Sequence, residues 1–253
     1  MKNNLESLLF IACAFLALNI AQAQDMRHII KNPSDPKVTE YWDPEVRVVT
    51  PGAIPSDAIV LFNGKDLSNW ESSKDSSPAK WTVKDGAMTV VKGAGNISTK
   101  QKFENYQLHI EWRSPIEPED LKSQGKGNSG IFMQGMYEVQ VLNSYQNRSY
   151  RNGQAGSIYK QTAPMVNATS KMGEWNVYDI IYTAPKFTIN GGIDTPAYVT
   201  VMHNGIVVQN HTKIQGITNY IGQPENPVHG KGPISLQDHG NLVSFRNIWI
   251  REL

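Results

Sequence analysis

The stretch Tyr106–Arg113 alternates without a break: Leu108, Ile110 and Trp112 on one side, His109, Glu111 and Arg113 on the other. A period of two is the pattern of a strand with one buried face, and a helix cannot present it to a core. Turn chemistry supports the same reading elsewhere. Trp81–Val83 and Ala87–Val91 flank Lys84-Asp85-Gly86, and Asn204-Gly205 joins Tyr198–His203 to Ile206–Asn210. Asp-Gly and Asn-Gly accept the left-handed backbone that tight hairpins need. Ala58–Phe62, Gly130–Gln134, Tyr137–Leu142, Trp175–Thr183, Ile234–Leu236 and Val243–Arg251 supply further strand-like runs. No stretch sustains a helical period with both caps. The expected fold is all-β: a sandwich of two antiparallel sheets.

The first 23 residues read as a secretory signal. Lys2 gives a positive start, Leu8–Ile20 an apolar run, and Ala21-Gln22-Ala23 the small residues that a signal peptidase inspects. Cleavage before Gln24 and a periplasmic or secreted location are expected. The run is too short for a stable membrane span. Cys13, the only cysteine, lies within it, so the expected mature protein has no disulfide. Residues 24–57 read as a Pro-rich leader, extended and without periodicity, and 58–253 as one β-sandwich domain. A net charge of +1 argues against a broad basic surface for nucleic acid.

Three pairs of polar residues stand two apart, so each pair shares a strand face: His109/Glu111, Glu138/Gln140 and Gln237/His239. If all three lie on one sheet face they build a cleft of carboxylates, amides and imidazoles. A carboxylate and an imidazole supply a base and an acid near neutral pH. The same groups, His109 and Glu111 first, could instead hold a divalent cation such as Ca²⁺. Glu138/Gln140 lacks the second carboxylate of a conventional glycosidase pair. Gly127-Asn128-Ser129-Gly130 reads as a tight turn feeding a strand, and Tyr145–Met172 as a long polar loop of the kind that carries function. His203, beside a turn, reads as a surface histidine; Trp70, Trp81 and Trp249 read as core.

LFNGKDLSNW at 61–70, LHIEWRSP at 108–115 and GNSGIFMQGMYEVQVLNSY at 127–145 resemble the 3-keto-disaccharide hydrolase family. NGQAGSIY at 152–159, GEWNVYDI at 173–180 and the C-terminal block 232–253 extend the resemblance over nearly all of 58–253. It implies a concanavalin-like jelly roll acting on glycosides already oxidised at C3, by hydrolysis or 1,2-elimination. An upstream sugar-oxidising dehydrogenase would supply that substrate. A C3 ketone acidifies the C2 proton; a base removes it, and the enolate expels the C1 substituent. Within that chemistry Glu138 or His239 is the expected base and the other the acid. Glu111, His109, Gln140 and Gln237 would bind sugar hydroxyls or a cation, with Asn128, Ser129 and Tyr159 as further substrate contacts. Asn143 departs from the Asp common in the family. Two other readings fit the same sandwich: a non-catalytic, lectin-like carbohydrate-binding module, and an ordinary glycoside hydrolase.

Overall fold

The computed structural model describes residues 35–118 and 120–253. The expected signal and the start of the leader lie outside them. Two units divide the chain, one ending at Val49 and the other running Thr50–Leu253. In the first, Pro36–Thr39 forms a 3-10 turn, opened by the Asp35 carboxylate accepting from the Lys37 N–H at 3.0 Å. Among the described residues no helix is long and apolar enough to cross a membrane.

The second unit is a sandwich. Its larger sheet holds β1 (Ile59–Phe62), β3 (Thr82–Lys84), β4 (Ala87–Thr89), β6 (Tyr106–Arg113), β9 (Asn176–Thr183), β12 (Tyr198–His203), β13 (Ile206–Lys213) and β15 (Ser244–Glu252). Their order is β13-β12-β9-β6-β15-β4-β3, with β1 also paired to β15. The smaller sheet orders β2 (Trp70–Ser72), β5 (Ile97–Thr99), β14 (Ser235–Leu236), β7 (Ser129–Met133) and β8 (Tyr137–Val141) as β2-β5-β14-β7-β8. A two-stranded ribbon, β10 (Lys186–Phe187) and β11 (Ile193–Thr195), stands apart. All pairings are antiparallel. The all-β expectation holds.

Alternation places the core. Leu108, Ile110 and Trp112 of β6 and Tyr178, Ile180 and Tyr182 of β9 turn inward from the larger sheet. Ile131, Met133, Val139, Val141 and Leu236 meet them from the smaller one. Two tyrosine hydroxyls tie the layers, Tyr178 to the Gln140 carbonyl at 2.8 Å and Tyr182 to Gln134 Oε1 at 2.7 Å. The Asp85-Gly86 and Asn204-Gly205 turns take left-handed φ as their sequences require. Between β7 and β8 the left-handed residues are Gln134 and Gly135, one position earlier than the sequence suggests.

His203 is a correction. It is buried, not superficial, because it ends the inward row Val199, Val201, His203 of β12. Its Nε2 meets Asn176 Oδ1 at 2.9 Å, and burial pushes its pKa down to about 3. At the chain's other end, Arg251 grips Asp57 with Nε and one terminal nitrogen at 2.7 and 2.8 Å, lashing the start of the sandwich to its last strand.

Tyr178→Phe removes the donor that spans the sheets and leaves a buried carbonyl with less satisfaction. We expect a loss of about 1–2 kcal/mol, read as a lower midpoint in urea unfolding.

Candidate functional site

β8 sits between β7 and a loop segment. Ile158 bridges to Val139, the Gln140 N–H donates to Ser157 O at 3.0 Å, and the Tyr159 N–H donates to Glu138 O at 3.1 Å. Tyr159 is therefore the cross-strand neighbour of Glu138, and Ser157 that of Gln140; such neighbours share a face. On the other side Phe132 opposes Glu138 and Gly130 opposes Gln140. Past the end of β14 the chain stays in register, with the Gln237 N–H donating to Gly130 O at 3.0 Å. The outer face of the smaller sheet thus carries two rows, Phe132–Glu138–Tyr159 and Gln237–Gly130–Gln140. His239 stands two residues beyond Gln237.

A cleft of about 580 Å³ opens over these rows, lined also by Gln124, Asn128, Tyr150, Thr218 and Tyr220. Glu138 is 3% exposed. Its N–H donates to Thr218 Oγ1 at 2.9 Å, but its carboxylate has no hydrogen-bond partner among the described residues. Burial alone pushes its pKa up to about 8. Gly130 makes room for it: a methyl there would collide with the Glu138 carboxylate and the Phe132 ring. The φ of Gly130 is not in the left-handed region, so space and not backbone freedom demands glycine.

An amide cluster braces the other row. Gln124 Nε2 donates to Ser149 Oγ at 2.7 Å and to Gly153 O at 2.9 Å, which fixes its oxygen toward Gln140. Gln140 Nε2 donates to that oxygen at 3.1 Å and to Asn128 Oδ1 at 3.2 Å. Tyr150 and Tyr159 join hydroxyl to hydroxyl at 2.7 Å. Burial raises both phenols above their ordinary value, so they remain donors across the physiological range.

Of the residues that the sequence nominates, Glu138, Gln140, Gln237, His239, Asn128 and Tyr159 line one cleft. Others fall elsewhere. His109 and Glu111 lie on the outer face of the larger sheet, because β6 turns Leu108, Ile110 and Trp112 to the core. Their polar atoms are already engaged. His109 Nδ1 meets Asp179 at 2.7 Å; Glu111 accepts from Arg246 Nε at 2.6 Å and Asn247 Nδ2 at 2.9 Å. Burial opposes the Glu111 charge, but these donors outweigh it and hold its pKa below the ordinary value. Among the described residues no three His, Cys, Asp or Glu side chains converge as metal ligands. Among the described residues the cleft itself offers one carboxylate, which keeps its proton near neutral pH. That is a poor match for Ca²⁺, which takes about six to eight oxygen ligands. Ser129 turns inward, its hydroxyl held by Gln237 O at 2.7 Å, and does not line the cleft. Asn143 is buried outside the cleft, its Oδ1 accepting from the Tyr145 N–H at 3.3 Å as an Asp would.

Sequence reasoning missed Gln124, Phe132, Tyr150, Thr218 and Tyr220. Phe132 was legible, since β7 alternates and Phe132 shares a face with Gly130. The loop residues carry no periodic signal.

Residues 57–251 match the model of the 3-keto-alpha-glucoside-1,2-lyase-like domain family. The chain belongs to this family. A 3-keto-disaccharide hydrolase of Bacteroides thetaiotaomicron is 26% identical over 249 residues, covering 79% of this chain and 81% of that one. A crystal structure from Parabacteroides distasonis, of a protein classed as a glycosyl hydrolase, shares 56% identity. It aligns with a TM-score of 0.82 over 87% of this chain and 97% of its own. A second protein so classed, from the same organism, is 25% identical with a TM-score of 0.54, over 78% of this chain and 99% of its own.

Gly130→Ala should abolish turnover while the protein still folds, as judged by circular dichroism, because the added methyl takes the space of the Glu138 carboxylate. A pH effect on stability follows from the raised carboxyl. Below about pH 4.5 folded and unfolded chains both hold the Glu138 proton. Between about 4.5 and 8 only the folded chain holds it, so stability falls as pH rises. The thermal midpoint of Glu138→Gln relative to the wild type should therefore climb between pH 5 and pH 9.

Proposed function

We propose that this protein is an exported carbohydrate-active enzyme that cleaves 3-keto glycosides by C2 deprotonation and elimination, with water addition completing net hydrolysis. The observation that carries the reading is Glu138: a buried carboxyl without a hydrogen-bond partner among the described residues, facing a cleft of sugar-sized volume. A base with its pKa near 8 is far better suited to a carbon acid than a solvated carboxylate would be. Glu138 takes the C2 proton, and the electrons pass through the C2–C3 bond to the ketone oxygen, giving an enolate. Collapse of the enolate expels the C1 oxygen, which takes a proton from His239. Water can then add across C1 and C2: its oxygen bonds C1 as one of its protons returns to His239, and the proton held by Glu138 goes to C2.

Among the described residues Glu138 is the sole carboxylate lining the cleft. A retaining or inverting glycosidase uses two, whereas this route uses one. The family description names a lyase and the Bacteroides thetaiotaomicron relative is a hydrolase; both end points share the enolate. In this reading Gln140 and Gln237, which flank Gly130 across the sheet, hold the sugar hydroxyls.

Incubation with a 3-keto disaccharide should release 3-ketoglucose or the corresponding enone, detected by mass spectrometry. Glu138→Gln should lower kcat by about 10²–10⁴-fold. Because the ionised form of Glu138 is the active one, its ionisation should give kcat/KM a limb that rises with pH toward about 8. A flat profile from pH 6 to 9, or undiminished turnover by Glu138→Gln, would remove Glu138 as the base.

A further inference from the structure

Deprotonation at C2 moves negative charge onto the C3 oxygen, two bonds away. Base catalysis on a carbon acid is efficient only if something already in place stabilises that charge. Neither His109 nor Glu111 is available, since both stand on the other sheet with their polar atoms engaged. The required donor must lie beside Glu138, because the atoms it serves lie beside C2.

We infer that the hydrogen-bonded hydroxyls of Tyr150 and Tyr159 act as one donor that holds the enolate oxygen. The inference rests on the reaction proposed above. Three observations place the pair. Tyr159 is the direct cross-strand neighbour of Glu138, fixed by the Tyr159 N–H to Glu138 O bond at 3.1 Å and the Val139–Ile158 bridge. Side chains so paired start about 5 Å apart at Cβ, a spacing suited to adjacent atoms of one sugar ring. Second, the hydroxyls meet at 2.7 Å and both residues line the cleft. One proton is spent on the bond between them. The hydroxyl that accepts it keeps its own proton for a ligand, and accepting makes it a stronger donor. Third, the Lys160 ammonium lies 5.9 Å from the Tyr150 ring centre and 4.1 Å from that of Tyr220, pinned to Tyr220 O at 2.7 Å. Its backbone sits at φ +58, a region that a side chain enters at a cost. A fixed cation there favours negative charge arriving at the pair.

No proton leaves either phenol. Glu138 gains the C2 proton, the C–H pair becomes the C2–C3 double bond, and the C3–O π pair moves onto the oxygen, which accepts the hydrogen bond as an enolate.

The test uses the full chain with methyl 3-ketoglucoside in D₂O, following loss of the C2 proton by NMR alongside kcat and KM. Tyr159→Phe and Tyr150→Phe should each slow C2 exchange and kcat by about 10²-fold, with KM within about twofold of the wild type. Since the two hydroxyls work as a unit, Tyr150→Phe/Tyr159→Phe should lose little more than either single variant. Exchange at the wild-type rate in both single variants overturns the inference, as does a change in KM with kcat intact. Glu138→Gln separates the two ideas. If it loses exchange while the tyrosine variants keep it, the base stands and the donor falls. If Glu138→Gln exchanges normally, the base reading fails and takes the donor with it. Should Tyr159→Phe not fold, Tyr150→Phe, whose ring is more exposed, decides alone.

Discussion

Every part of the cleft depends on β8 having both edges paired. A strand at the edge of a sheet ordinarily leaves one row of backbone groups open. Here the segment Ser157–Tyr159 pairs with that edge, and Thr218 caps the Glu138 N–H. Tyr137, Val139 and Val141 can then pack in the core while Glu138 and Gln140 are walled in on the opposite side. Without the covering segment Glu138 would be solvated and would titrate as an ordinary carboxylic acid.

Glu111 and Glu138 show how environment decides chemistry. Both sit mid-strand with a polar partner two residues away. Glu111 is met by a guanidinium and an amide, so its charge is stabilised and its pKa falls. Glu138 is enclosed without a donor among the described residues, so its charge is penalised and its pKa climbs. The first is held in a surface network in which Trp175 lies under both Arg113 and Arg246. The second is left with free energy that a substrate can use.

Much of the fold was legible because alternation and hairpin turns are local. β6 was readable to the residue, and the Asp85-Gly86 and Asn204-Gly205 turns behave as their side chains require. β5 was not readable. Its Ser98 and Thr99 are buried polar residues, satisfied by partners as distant in sequence as Ser235, at 2.6 Å from Ser98. The site was half legible for the same reason. Alternation says which side chains share a face, but not which sheet a strand joins. It therefore grouped His109/Glu111 with Glu138/Gln140, although the sandwich sets them on opposite outer surfaces. Tyr150 and Tyr220 come from irregular segments, where contacts depend on the folded path and not on any period.

The Asp57–Arg251 grip has a consequence for how this molecule can be attached to anything else. Both residues belong to the layer that holds β1 and β15. The cleft opens on the far surface of the other layer. A tether joined to the sandwich at either end of its chain pulls on the larger sheet, the layer that does not carry the cleft. The strain of such a pull falls on a bidentate ion pair and the β1–β15 ladder, and not on the strands that carry Glu138.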